Sequence, residues 1–193
     1  RMNNKEIICR LRKELDFKRY EHTCGVAYTS AALAMRWDAD VNKAYLAGLL
    51  HDCAKGMSDD DRLDICKKKG IYVSEVEYDN PSLLHAKVGA YLAKTVYEID
   101  DEDILSAITY HTTGRAEMTL LEKIVFSADY LEPNRNHDPE LSMIRRMAFT
   151  DLDEAILKIY ENTMRHLKNS TKVLDPTTEE AYRYYQEYVR RHI

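Results

Sequence analysis

Apolar residues recur at every third or fourth position along most of this 193-residue chain, and few residues interrupt the pattern. That spacing places side chains on one face of an α-helix, whereas strict alternation would indicate strands. Only six Gly and four Pro are present to break helices. The pattern predicts an all-α protein of eight to ten helices, with residues 70–78 as the best candidate for a strand.

Local signals mark several helix ends. Ser58 with Asp61, Thr119 with Glu122, and Thr177 with Glu180 have the spacing of N-terminal capping boxes. Gly70 is placed to close the helix that Ser58 opens, and Asp175-Pro176 is placed to open a later helix. No repeat, low-complexity tract or long linker divides the chain, so residues 1–193 are expected to form a single domain.

The charge balance excludes some partners. The chain has 28 basic and 33 acidic residues, well mixed, for a net charge of −5. Nucleic-acid binding needs a dominant basic surface, so we expect none, although a few cations in one pocket can hold a small anion. No apolar run is long enough for a membrane span and no secretory leader is apparent. The four cysteines form no CxxC pair, so we expect reduced thiols in a cytoplasmic protein.

Six polar residues stand on or beside the apolar stripes of five separate helices. They are His22, His51, Asp52, His85, His111 and Asp129. A single inward His is usually a satisfied core residue, but six such groups would need several unrelated partners. One divalent cation satisfies them all, because it binds carboxylates and neutral imidazoles. The pattern therefore predicts a metal site; the other histidines, His137, His166 and His192, lie in polar surroundings.

His51 and Asp52 are adjacent, so their side chains point about 100° apart on a helix. They can hold one ion at the helix edge, with the second Asp52 oxygen free to reach another ion. Gly48, one turn earlier, leaves room for a neighbouring helix to approach.

These residues and the segments around them resemble a known family. The set His22, His51-Asp52 and Asp129 is similar to the HD superfamily of metal-dependent phosphohydrolases. The segments RYEHTCGVA (19–27), AGLLHDCAK (47–55), LLHAKVGA (83–90), YHTTGR (110–115) and EKIVFSADYLEPNR (122–135) resemble its bacterial YqeK-type subfamily. Members of that subfamily split diadenosine tetraphosphate symmetrically into two ADP.

The resemblance implies an HD-domain helical bundle with a metal-site core at about residues 18–135 and C-terminal helices at 139–193. It makes His22, His51, Asp52 and Asp129 the ligands of a firmly held ion, usually iron. His85 and His111 would complete a second metal position or contact phosphate. Manganese, zinc or cobalt also suit such ligands.

The resemblance also implies the substrate contacts. Lys55 would direct its ammonium to phosphate and act with Asp52 in catalysis, while Asp52 orients the nucleophile. The remaining predicted substrate-binding residues are Arg19, His85, His111, Thr112, Thr113, Gly114, Arg115 and Arg135. The implied reaction is attack by a metal-activated hydroxide on one of the two inner phosphorus atoms, with ADP as product.

Three alternatives stay open at this point. The enzyme could act on another nucleotide, such as a deoxynucleotide, a cyclic nucleotide or a guanosine alarmone. The protein could also be a nucleotide-binding sensor without turnover, or the metal could be structural. Structural zinc sites are usually closed and rich in Cys, which disfavours the last alternative. A homodimer is compatible with the sequence.

Overall fold

The computed structural model describes residues 2–193, and this part of the chain contains eleven α-helices and no strand. The all-α prediction is confirmed. The helices are α1 (Asn4–Glu14), α2 (Phe17–Arg36), α3 (Val41–Leu50), α4 (Asp59–Lys69), α5 (Glu75–Asp79), α6 (His85–Thr95), α7 (Glu102–Thr109), α8 (Leu120–Leu131), α9 (Leu141–Ala148), α10 (Leu152–Lys168) and α11 (Pro176–Arg191). A 3-10 helix at Pro81–Leu84 precedes α6.

Two expectations about local structure were wrong. The strand candidate at residues 70–78 instead contains the start of α5, because Ser74 and Glu77 form a capping box there. This short helix raises the number of helices above the expected ten. The box of Thr177 and Glu180 does not form. The helix start indicated by Asp175-Pro176 is confirmed instead: α11 begins after Asp175, whose side chain accepts a hydrogen bond from the Thr177 amide.

Other predicted helix ends are confirmed. Thr119 and Glu122 form a reciprocal capping box at the start of α8. The Ser58 side chain accepts a hydrogen bond from the Asp61 amide at the start of α4. Gly70 ends that helix in the left-handed conformation, with φ of 66°, which glycine adopts without steric cost.

The core forms where α2 packs on α3 and α8, and where α7 packs on α3, α6 and α8. Val26, Leu33 and Leu50 are among its fully buried residues. Gly48 permits the closest approach of α3 to α2, since an added Cβ would lie 2.7 Å from the Ala27 Cα. This agrees with the space that the sequence predicted at Gly48, and it brings the helix carrying His22 against the helix that ends at His51.

The C-terminal helices attach to this core through two buried tyrosines. The Tyr160 hydroxyl donates to the Thr113 carbonyl at 2.9 Å, and the Tyr185 hydroxyl accepts from the Met118 amide at 3.1 Å. Both contacts reach the segment between α7 and α8, so α10 and α11 hold the loop that follows His111. Within residues 2–193 no helix is long and apolar enough to cross a membrane.

Candidate metal centre

The six predicted ligand residues meet in one cluster, although they come from five parts of the chain. His22 lies on α2, His51 and Asp52 at the end of α3, His85 at the start of α6, His111 just after α7 and Asp129 on α8. His51 and His111 are fully or almost fully buried. We call these six residues the polar cluster.

Each imidazole of the polar cluster is oriented through its Nδ1 atom. The Nδ1 partners are the Gly48 carbonyl for His51 (2.7 Å), the Ile108 carbonyl for His111 (2.7 Å), the Ser82 carbonyl for His85 (2.6 Å) and the Glu132 carboxylate for His22 (3.0 Å). These oxygens accept hydrogen bonds, so Nδ1 carries the proton and the Nε2 lone pair is left free. All four lone pairs therefore point into the polar cluster, which is how metal-binding histidines are held.

Asp52 divides the polar cluster into two halves. Its Oδ2 atom lies 3.6 Å from the His51 Nε2 and 3.9 Å from the His22 Nε2. Its Oδ1 atom lies 3.4 Å from the Nε2 atoms of both His85 and His111. Because one carboxylate oxygen faces each pair of histidines, Asp52 has the geometry of a bridging ligand between two cation positions.

Asp129 belongs to the side of His22 and His51. Its Oδ1 atom lies 3.0 Å from the His22 Nε2 and 3.7 Å from the His51 Nε2. We define the first half as His22, His51 and Asp129 with the Asp52 Oδ2 atom. The second half is His85 and His111 with the Asp52 Oδ1 atom.

The donor atoms fit a divalent cation better than they fit one another. The Nε2 atoms of His22 and His51 are 3.3 Å apart, and those of His85 and His111 are 3.0 Å apart. When both imidazoles of a pair are neutral and carry the proton on Nδ1, their Nε2 lone pairs repel. A cation shared by the two members of a pair would turn this repulsion into attraction.

The ionisation of the polar cluster also suits a cation. Burial would raise the pKa values of Asp52 and Asp129, but the neighbouring histidines outweigh it and lower both. Burial lowers the pKa of His51, and it lowers that of His85 to about 3. These groups are therefore carboxylates and neutral imidazoles, the forms that bind metals.

The other two histidines show how strongly the carboxylates attract positive charge. Burial disfavours protonation of His22 and His111, yet hydrogen bonds to Asp129 and Asp52 raise their pKa values. A cation bound between the rings would satisfy the same carboxylates without a proton on either imidazole.

Comparison with known proteins agrees with this geometry. The family described as "HD domain" matches residues 19–134, a range that contains the whole polar cluster. The chain belongs to the HD domain family.

Relatives of this HD protein cover almost its whole length. One from Bacillus subtilis, named symmetrical bis(5'-nucleosyl)-tetraphosphatase, is 40% identical over 94% of this chain and 96% of its own. A Staphylococcus aureus protein of the same name is 38% identical over 91% of each chain. A Clostridium acetobutylicum crystal structure, described as a predicted HD superfamily hydrolase involved in NAD metabolism, has a TM-score of 0.93. It is 39% identical and the match covers 97% of this chain and 98% of that one.

Three cationic side chains surround the polar cluster of this HD domain. The Arg19 Nη1 atom lies 2.8 Å from the Asp52 Oδ2 atom, and the Arg135 Nη2 atom lies 3.0 Å from the Asp129 Oδ1 atom. The Lys55 ammonium lies 3.5 Å from the His85 Nδ1 atom, and burial lowers its pKa. All three were predicted from the sequence to contact substrate, and all three lie beside the polar cluster.

A cavity of about 150 Å³ lies beside the polar cluster, and we call it the cluster cavity. His111, Asp129 and Arg135 line it, together with Thr112. The Thr112 hydroxyl lies 3.3 Å from the His85 Nε2 atom. This cavity provides access from solvent to the side of the cluster where Arg135 stands.

The other predicted substrate contacts in the loop after His111 have partners within the protein. Arg115 donates to both oxygens of Glu122, with distances of 3.0 and 2.6 Å, and its guanidinium lies 4.4 Å from the centre of the Tyr110 ring. Gly114 has φ of 62°, and the Thr113 carbonyl accepts from Tyr160. Phosphate contacts by Thr113, Gly114 and Arg115 stay predictions.

Glu132 contacts the polar cluster and was not predicted from the sequence. The Glu132 carboxylate is 1% exposed and holds the His22 ring. A Cβ on Gly25 would overlap that carboxylate, so glycine is needed for the approach. The available signal was position: Glu132 follows Asp129 by three residues and is the C-cap residue of α8.

His137 was assigned to polar surroundings, and it is indeed exposed. It also lines the cluster cavity of the HD domain beside Tyr130, with ring centres 4.6 Å apart. No local pattern signalled this placement, because the segment between α8 and α9 lacks a helical period.

Proposed function

We propose that this protein hydrolyses diadenosine tetraphosphate symmetrically and releases two ADP. Relatives that carry the name of this activity are 38–40% identical over 91–94% of the chain. The observation that carries the proposal is the position of Asp52 between two pairs of imidazole Nε2 atoms. Cations held by this arrangement would neutralise adjacent phosphoryl oxygens in a polyphosphate chain.

We assign the six residues of the polar cluster as metal ligands, with iron as the ion. The family resemblance suggests iron, and a set of imidazoles and carboxylates without thiolate is compatible with it. A divalent cation held there supplies the Lewis acidity that activates water and balances charge on the phosphoryl group. The first half would hold the tighter ion, and the second half would hold a second ion or contact phosphate directly.

The surrounding side chains hold the substrate in this proposal. Arg135 and Arg19 have guanidinium groups beside the carboxylates of the polar cluster, where they can exchange to phosphate oxygens on substrate binding. The Lys55 ammonium and the Thr112 hydroxyl lie on the side of the second half. Together they fix the tetraphosphate so that an inner phosphorus stands at Asp52, which orients the attacking water. Centring the chain in this way makes the two products identical.

Residues 1–193 act as one functional unit in this proposal, because α10 and α11 hold the loop after His111. The four cysteines have free thiols, which suits a reducing compartment such as the cytoplasm. We also propose that the protein forms a homodimer in solution.

Product analysis tests the function. Purified protein loaded with iron is incubated with diadenosine tetraphosphate, and nucleotides are separated by chromatography. ADP as sole nucleotide product is expected, and chelation should abolish its release. AMP and ATP in equal amounts would contradict symmetric cleavage. Faster turnover of a deoxynucleotide, cyclic nucleotide or guanosine alarmone would reassign the substrate, and tight binding without turnover would indicate a sensor.

A further inference from the structure

A second cavity, of about 590 Å³, adjoins the polar cluster and has no role in the site described so far. Four separate segments build it: residues 72–77, 83–87, 109–113 and 175–177. We call it the Tyr72 cavity. Its volume lies within the range of about 300–1,000 Å³ that is usual for pockets holding small organic ligands.

The Tyr72 cavity lies next to the second half of the polar cluster. Thr112 lines both this cavity and the cluster cavity, and its hydroxyl lies 3.3 Å from the His85 Nε2 atom. Tyr110 and Thr112, which flank His111 in the chain, both contribute to the wall. A ligand whose phosphates lie at the polar cluster can therefore extend past Thr112 into the Tyr72 cavity.

The lining of the Tyr72 cavity suits an aromatic base. Tyr72 is 77% exposed although it is a large aromatic residue. Lys87 steadies it: the ammonium lies 5.3 Å from the ring centre and donates to the Tyr72 carbonyl at 2.9 Å. Lys87 is in turn paired with Glu77 at 2.8 Å. Exposed tyrosine rings stack on nucleic-acid bases with little dependence on base identity.

A second ring and a carboxylate complete this lining. Tyr110 contributes the second ring, and Arg115 covers it with its guanidinium. Asp175 caps α11 with its Oδ1 atom, and its second carboxylate oxygen can accept a hydrogen bond from a ribose hydroxyl. The C-terminal helix thus takes part in a wall that lies next to the second half.

We propose that the Tyr72 cavity binds one nucleoside of the dinucleotide substrate, with the base stacked on Tyr72. This inference rests on the proposed function, and it adds a reason for symmetric cleavage. One nucleoside anchored past Thr112 sets how far the tetraphosphate reaches across the polar cluster. The anchor therefore selects which phosphorus stands at Asp52.

The variant Tyr72→Ala tests the anchor, with Tyr78→Ala as matched control. Tyr78 is also exposed and only six residues away, but it does not line the Tyr72 cavity. We expect Tyr72→Ala to raise KM for diadenosine tetraphosphate by roughly 5- to 100-fold, the loss of one stacked base, with kcat little changed. Tyr72→Trp should restore KM. Unchanged KM in Tyr72→Ala would overturn the inference.

Photolabelling locates the base without turnover. The full-length protein is irradiated with 8-azido-ADP, and the labelled peptides are identified by mass spectrometry. Labelling within residues 72–77, 109–113 or 175–177 supports the Tyr72 cavity, whereas labelling confined to Tyr130 and His137 overturns it. If wild-type protein releases no ADP from diadenosine tetraphosphate, the proposed function fails. Normal ADP release with no labelling at the Tyr72 cavity removes the nucleoside site alone.

Discussion

The two halves of the polar cluster are built differently. In the first half, His22 and His51 face the carboxylates of Asp129 and Asp52. A further carboxylate, Glu132, holds the His22 ring from behind. The second half has His85 and His111 and a single carboxylate oxygen from Asp52. Backbone carbonyls, not carboxylates, orient both of its rings.

This difference predicts different affinities for cations. Opposite unit charges 4 Å apart attract by about 4 kcal/mol when the effective dielectric constant is 20. The carboxylate of Asp129, which only the first half has, therefore raises the affinity for a cation by more than small differences in imidazole placement could change it. The first half is suited to hold an ion permanently. The second half, which adjoins Thr112 and the Tyr72 cavity, is suited to an exchangeable ion or to phosphate.

The largest effect is expected from Asp52→Asn, because this side chain serves both halves. The substitution keeps the shape and removes the charge. We expect kcat to fall by roughly 1,000-fold or more, as several kcal/mol of cation-dependent stabilisation are lost. Circular dichroism should show the helices intact, and Asp60→Asn, an exposed position on α4, serves as control. Turnover near the wild-type rate would refute a bridging role for Asp52.

The two halves can be distinguished by the number of ions that variants of each half retain. Asp129→Asn should lower the affinity of the first half by roughly 100- to 1,000-fold, since a carboxylate charge is removed from the ion. His85→Gln should leave one firmly bound ion and affect only the second half. Elemental analysis of the dialysed variants measures the ratio of metal to protein. Equal metal loss in both variants would show that the halves do not differ.

A smaller loss of metal affinity is expected from Glu132→Gln. Glutamine can still contact the His22 Nδ1 atom but no longer makes the ring more basic, so metal affinity should fall by roughly 10- to 100-fold. Competition with a chelator measures this affinity. Glu21→Gln, next to His22 but exposed, is the control and should behave as wild type. An unchanged affinity in Glu132→Gln would limit that carboxylate to packing.

The smallest effect on turnover is expected from Arg115→Ala. Its loss leaves the buried Glu122 without its cation, which should destabilise the fold by about 1–3 kcal/mol. KM should rise less than in Arg135→Ala, because Arg135 lies beside Asp129. Thermal unfolding and kinetics of the two variants separate stability from binding. A larger KM effect in Arg115→Ala would restore Arg115 as a main phosphate ligand.

Much of the site could be predicted from the sequence because helical periodicity is local. The six residues of the polar cluster each stood on or beside an apolar stripe, where an unpaired polar group is costly. Thr119 and Glu122 were recognised as a capping box for the same reason, since the partners are three residues apart. The box at Thr177 was misplaced because Asp175 and Pro176 provide a competing cap two residues earlier.

The sequence by itself determined that this chain is helical, that its inward histidines and aspartates are a set suited to a cation, and that it resembles HD phosphohydrolases. Only the tertiary structure decided which ring nitrogen faces the cluster, how Asp52 divides it and that Tyr72 and Asp175 share one cavity. Spacing along the chain sets the face of a helix on which a side chain lies. Which groups meet across faces depends on how close helices pack, as at Gly48 and Gly25, and that distance follows from the whole core.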